Sequence, residues 1–77
     1  NNISTKPREA KIEDFVNLDL WIDLESWIEK EKQFTYRDLD FIKSIIKAIK
    51  KNGAPSYKQM KVAGKILLKA RGKGFDK

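Results

Sequence analysis

The sequence predicts an all-α fold, a small four-helix bundle, on three observations. Leu39, Ile42, Ile45, Ile46 and Ile49 recur at the three-and-four spacing of one helical face, with Phe41 and Ala48 flanking it. Met60, Ala63, Ile66, Leu67 and Ala70 repeat the pattern further on. Between the two runs lie residues that stop one helix and start another. The chain has 77 residues. A chain this short buries only about 60% of its unfolded surface, so it supports a single shared core.

Taken in order, the elements begin with a short helix in which Ile12, Phe15 and Val16 make one stripe and Pro7 sits in the first turn, where its missing N–H costs nothing. A second, acidic helix carries Leu20, Trp21, Leu24, Trp27 and Ile28. One continuous helix through Phe15 to Ile28 would be apolar on every side, which a surface helix is not, so the chain must break between Asn17 and Asp19, with Asp19 as the cap. The third helix spans Thr35 to Lys51 and opens on a capping box, the Thr35 hydroxyl answered by Asp38. Asn52-Gly53 closes it, Gly53 taking the left-handed conformation. After Pro55, Ser56 with Gln59 three residues on starts the fourth helix, which runs to Arg71 with Gly72 as its C-terminal cap. The third and fourth helices are long, basic and joined as a hairpin, the expected stable unit, while the first is marginal. The expected organisation is a flexible N-terminus over residues 1–6, one helical domain over 7–71 and a flexible basic tail over 72–77. Gly64, inside the fourth helix, marks close helix packing.

With no Cys and no His, the chain has neither disulfides nor a structural zinc site, and its stability rests on apolar packing. No apolar run approaches the roughly 18 residues of a membrane span, and the first residues lack the apolar core of a signal peptide. The chain therefore reads as soluble, cytoplasmic and monomeric. It opens on Asn1 without an initiator Met, as a processed product or an excised piece of a longer chain would.

Catalysis has little to stand on: there is no His, no Cys, no Gly-rich phosphate loop and no nucleophile elbow, so the expectation is a protein without enzymatic activity or cofactor. Asp19 with Asp23, and Glu25 with Glu29, lie four apart and could chelate a divalent cation. One helix supplies too few convergent oxygens for such a site, and these carboxylates read as a solvated face, with no metal expected.

The charge is more informative. The net +6 divides sharply: residues 1–31 hold 4 basic and 8 acidic side chains, and residues 32–77 hold 13 basic and 3 acidic. Between Asp40 and Asp76 there is no acidic residue. Lys58, Lys61, Lys65 and Lys69 fall within an arc of about 80° opposite the apolar stripe. Lys43, Lys47, Lys50 and Lys51 occupy the corresponding side of the third helix. Together these two ridges make a surface suited to a phosphate backbone, with Arg71 and Lys73 extending it. The bland alternative is that the lysines confer solubility, or that the acidic helix docks beside them and neutralises them. Lys predominates over Arg, which favours diffuse phosphate attraction over reading of base edges. Tyr57 and Phe75 could stack on unpaired bases, although a Tyr at a helix start is more often a packing residue. Trp21 and Trp27 read as core. An exposed patch around Trp21, Ile22 and Trp27 would instead point to a protein-interaction adaptor that docks on a partner through its acidic, Trp-bearing N-terminal half.

The segment Phe34-Thr35-Tyr36-Arg37-Asp38-Leu39-Asp40-Phe41-Ile42, followed by Pro55-Ser56-Tyr57-Lys58-Gln59 and Ala63-Gly64-Lys65-Ile66-Leu67, resembles the small accessory proteins encoded beside the UvsW helicase of T-even bacteriophages. The likeness covers roughly residues 12–72 and carries no catalytic signature. It implies a helical module similar to those appended to RecQ-type helicases, acting near DNA recombination and repair in the host cytoplasm. The implied ligand is nucleic acid, DNA ahead of RNA and by structure rather than sequence. The implied contacts are Lys58, Lys61, Lys65 and Lys69, with a helicase or recombinase as protein partner.

Overall fold

The computed structural model describes residues 9–77, and within them four helices and no strand: α1 (Ile12–Phe15), α2 (Leu18–Glu31), α3 (Tyr36–Asn52) and α4 (Tyr57–Gly72). Helices α2, α3 and α4 enclose the core, in which Trp21, Leu24, Ile42, Ile45 and Leu67 are the largest fully buried side chains. The closest pairing is α2 with α3, more extensive than the α3–α4 hairpin that the sequence suggests as the main unit. The reason lies in α2, whose Leu20, Trp21, Leu24 and Ile28 bring more apolar surface than the Ala-bearing stripe of α4.

The capping signals of the two long helices act as their chemistry requires. Thr35 Oγ1 accepts from the Asp38 amide at 3.1 Å and the Asp38 carboxylate accepts from the Thr35 amide at 3.3 Å. Ser56 and Gln59 reciprocate in the same way at 3.2 and 2.8 Å. Gly53 closes α3 at φ 86°, its amide donating to the Ile49 carbonyl at 2.8 Å.

Three local expectations are corrected. The cap of α2 is Asn17, whose Oδ1 accepts from the Leu20 amide at 3.3 Å, and Asp19 lies within the first turn. Helix α1 is a single turn that buries Phe15 alone, leaving Ile12 78% exposed and Val16 exposed, so no three-residue stripe forms. One turn is too short to present such a stripe, and Pro7, expected in that helix, falls outside the described residues. The third correction concerns the tail. Gly72 remains in α4, and it is Gly74, at φ 115°, that reverses the chain. The Gly74 amide donates to the Arg71 carbonyl at 3.3 Å and the Phe75 amide to the Ala70 carbonyl at 3.0 Å, a Schellman closure. That reversal buries Phe75 against Trp27, ring centroids 5.5 Å apart, so residues 72–77 fold back onto the bundle instead of trailing into solvent.

The N-terminal segment is held by Asp14. Its carbonyl accepts the Trp21 indole N–H at 2.8 Å, and its carboxylate accepts the Lys11 amide at 2.8 Å and pairs with Arg71 at 3.5 Å. Phe15 stacks on Trp21 at 6.0 Å and 18° and approaches α4 at Gly64, where an added Cβ would lie 3.4 Å from Phe15 Cζ. Gly64 is thus the point of close packing between α1 and α4. Among the described residues, no helix is long and apolar enough to cross a membrane.

Candidate nucleic-acid interface

Helix α4 turns Ala63, Ile66, Leu67 and Ala70 into the core, and with 3.6 residues per turn this forces Lys58, Lys61, Lys65 and Lys69 outward. All four are exposed. On α3 the buried Ile42, Ile45, Ile46 and Ile49 likewise push out Lys43, Lys47, Lys50 and Lys51. Lys43, Lys47, Lys50 and Lys51 line one shallow depression with Ile46 at its floor. Lys61 and Lys65 border a different groove, shared with Glu9, Phe15 and Gly64.

The two ridges thus line separate depressions, with Asn52 and Gly53 in the exposed turn that joins their helices. Each helix points its apolar stripe at a common core, so the faces opposite those stripes turn away from one another.

Of the acidic half, Glu9 borders the groove of Lys61 and Lys65 without pairing with either. Among the described residues no ridge lysine enters an ion pair, and the pairs observed join Arg71 to Asp14 and Lys77 to Asp23. The Asp23 carboxylate accepts a hydrogen bond from Lys77 and holds that ammonium above the usual lysine range. Asp23 is thereby drawn to the tail, and among the described residues no three acidic side chains converge on one point. Two of the ridge lysines lie over aromatic rings: the Lys61 ammonium sits 5.2 Å from the Tyr57 ring centroid, and that of Lys69 lies 4.7 Å from the Phe34 centroid.

The remaining candidates divide. Tyr57 is 73% exposed and lies outside the core, contrary to the usual packing role of a Tyr at a helix start. Lys73 is exposed and hydrogen-bonds Gln33 Oε1 at 2.9 Å. Arg71 is a structural residue instead of a phosphate contact: its side chain is 4% exposed and donates to the Glu9 carbonyl at 3.4 Å and the Lys77 carbonyl at 2.7 Å besides pairing with Asp14. Phe75, being buried, is not available for stacking on a base. Sequence reasoning overlooked Phe34 and Tyr36. Phe34 is half-buried beneath Lys69, and Tyr36 is 87% exposed at the start of α3. The only available signal was their place beside the Thr35 cap, where an apolar ring has no helical stripe to join.

The patch that would mark a protein adaptor is not formed around the tryptophans. Trp21 is wholly buried, Trp27 is half-buried between Phe34 and Phe75, and only Ile22 of that group is exposed. Comparison of the chain with known protein families, characterised proteins and solved structures finds no match.

Proposed function

We propose that the protein is a non-enzymatic nucleic-acid-binding module that holds phosphate backbones through its lysine ridges, chiefly Lys58, Lys61, Lys65 and Lys69 on α4. The observation that carries this reading is an exposed helical face of four lysines with no carboxylate paired to any of them among the described residues. Lysines serving only solubility would be interspersed with acids, and α3 and α4 have none beyond Asp40. The resemblance of the Phe34–Ile42 and Pro55–Gln59 segments to helicase-side phage proteins makes DNA the first ligand to try, with a helicase or recombinase as the expected neighbour. Such a module would keep its partner on branched or unwound DNA without reading sequence.

Fluorescein-labelled single-stranded, duplex and forked DNA, titrated at two salt concentrations, tests the proposal. Affinity should fall with salt at a log–log slope of about −0.7 to −0.9 per phosphate neutralised. Lys61→Glu with Lys65→Glu should weaken binding to every sequence alike, and absence of binding at low salt would overturn the reading.

A further inference from the structure

We infer that the α4 ridge is built for an unpaired strand, with Tyr57 as a stacking platform for a base and the adjoining lysines as its phosphate clamp. This rests on the nucleic-acid reading above and names the class of ligand within it. A lysine ridge alone attracts any polyanion, duplex included, and does not distinguish strands whose bases are hidden from those whose bases are free. Tyr57 adds what a ridge lacks. It stands at the first turn of α4 with nearly three quarters of its surface in solvent, where a ring without a ligand gains no burial. The Lys61 ammonium, 5.2 Å from the ring centroid, engages the ring from the lysine side and ties it to the ridge. That placement leaves most of the ring open to a base whose phosphates fall beside Lys58 and Lys61.

The other end of the ridge has the same pairing of cation and ring. Lys69 lies over Phe34, with Tyr36 exposed two residues further on. From Tyr57 to Lys69 the helix rises about 18 Å at 1.5 Å per residue. A stacked strand advancing about 3.4 Å per nucleotide would place about five nucleotides along it. The α3 ridge differs: its depression is floored by Ile46, and no aromatic residue lines it. Stacking is therefore confined to the α4 ridge and the rings at its two ends, and the α3 ridge supplies general attraction only. Base stacking is tolerant of sequence because every base has a π-face, in keeping with a lysine-rich rather than arginine-rich contact set.

The experiment compares oligothymidylate, oligouridylate, a blunt duplex and an abasic strand of equal phosphate count, each bound to wild type, Tyr57→Ala, Tyr57→Phe and Lys61→Glu. Tyr57→Ala should lose about 5- to 150-fold on the two single strands, the range that removal of one stacked ring produces, and change duplex affinity less than twofold. Tyr57→Phe should retain single-strand binding, since the ring and not the hydroxyl is used. The abasic strand should bind wild type at least as weakly as oligothymidylate binds Tyr57→Ala. Lys61→Glu should weaken all four ligands. Binding of the abasic strand as tight as oligothymidylate, or equal losses of Tyr57→Ala on duplex and single strand, would overturn the stacking inference while leaving phosphate binding intact. No binding of any ligand by wild type would overturn both. Better binding of oligouridylate than oligothymidylate assigns the site to RNA, and the reverse to DNA. Tyr57 contributes nothing to the core, so the helical circular dichroism of Tyr57→Ala should match wild type.

Discussion

Lys32 ends α2 at φ 56°, the left-handed region that costs a residue with a Cβ about 1 kcal/mol or more. Its amide nonetheless donates to the Ile28 carbonyl at 3.2 Å, so the bundle imposes the geometry for the sake of the turn into α3. Lys32→Gly should therefore stabilise the fold by about 1 kcal/mol, with a melting temperature higher by roughly 4–8 °C. Thermal denaturation followed by circular dichroism reads this directly. Gly64 has the opposite character. It lies in a helix interior, and an added methyl would meet Phe15 Cζ at 3.4 Å, an ordinary contact. Gly64→Ala should gain about 0.5–1 kcal/mol of helix propensity, whereas a larger side chain would push Phe15 and α1 off α4. Arg71→Ala should destabilise by about 1.5–3 kcal/mol, since it removes charged hydrogen bonds to Asp14 and to carbonyls of both ends of the described chain. Its salt slope for DNA should equal that of wild type. A slope reduced by the value of one phosphate would return Arg71 to the interface.

Among the elements, α2 and α3 form the densest pair, and α1 hangs on Phe15, Asp14 and the Trp21 indole bond. Native-state amide exchange should accordingly be slowest across the buried turns of α2 and α3 and fastest between Ala10 and Val16. Equal protection at both places would show that the first turn belongs to the cooperative core. The long helices were legible because their determinants are local: a Thr-x-x-Asp or Ser-x-x-Gln box and a run of Ile or Leu every third or fourth residue depend on nothing distant. Whatever depends on distant residues was not legible. Asp14 meets Arg71 across 57 positions, so no pattern near Arg71 distinguishes a structural guanidinium from a phosphate-binding one. The tail was misread for a similar reason, because Gly72 and Gly74 are equally able to cap a helix. The buried seat that Trp27 offers Phe75, one residue past Gly74, favours the second. The ridges themselves were legible as helical periodicity. Their divergence was not, since it follows from three helices sharing one core.

At the scale of the whole molecule, the net charge of +6 arises from unlike halves, and the one that forms α3 and α4 carries 13 basic and 3 acidic side chains. Like charges at that density repel, and the acidic half does not pair with the ridge lysines among the described residues. Raising salt from about 10 mM to about 150 mM shortens the screening length from about 30 to about 8 Å, so the melting temperature of the free protein should rise over that range. DNA binding should weaken over the same range. A melting temperature that falls with salt would mean that attractive pairs between the halves outweigh the repulsion within the basic one.

The seating of Trp27 between Phe34 and Phe75 gives the molecule an optical gauge of its own interface. The two indoles occupy unlike surroundings: Trp21 is sealed with its N–H on a carbonyl, while Trp27 keeps part of its ring in water beneath the chain segment that Lys69 overlies. Trp21 should emit at the blue end and resist iodide. Trp27 should emit further to the red, and its colour and quenching should change when a ligand draws Lys69 away from Phe34 or loosens Phe75. A Trp21→Phe variant isolates that second signal, so occupancy of the far end of the ridge can be followed without attaching a dye.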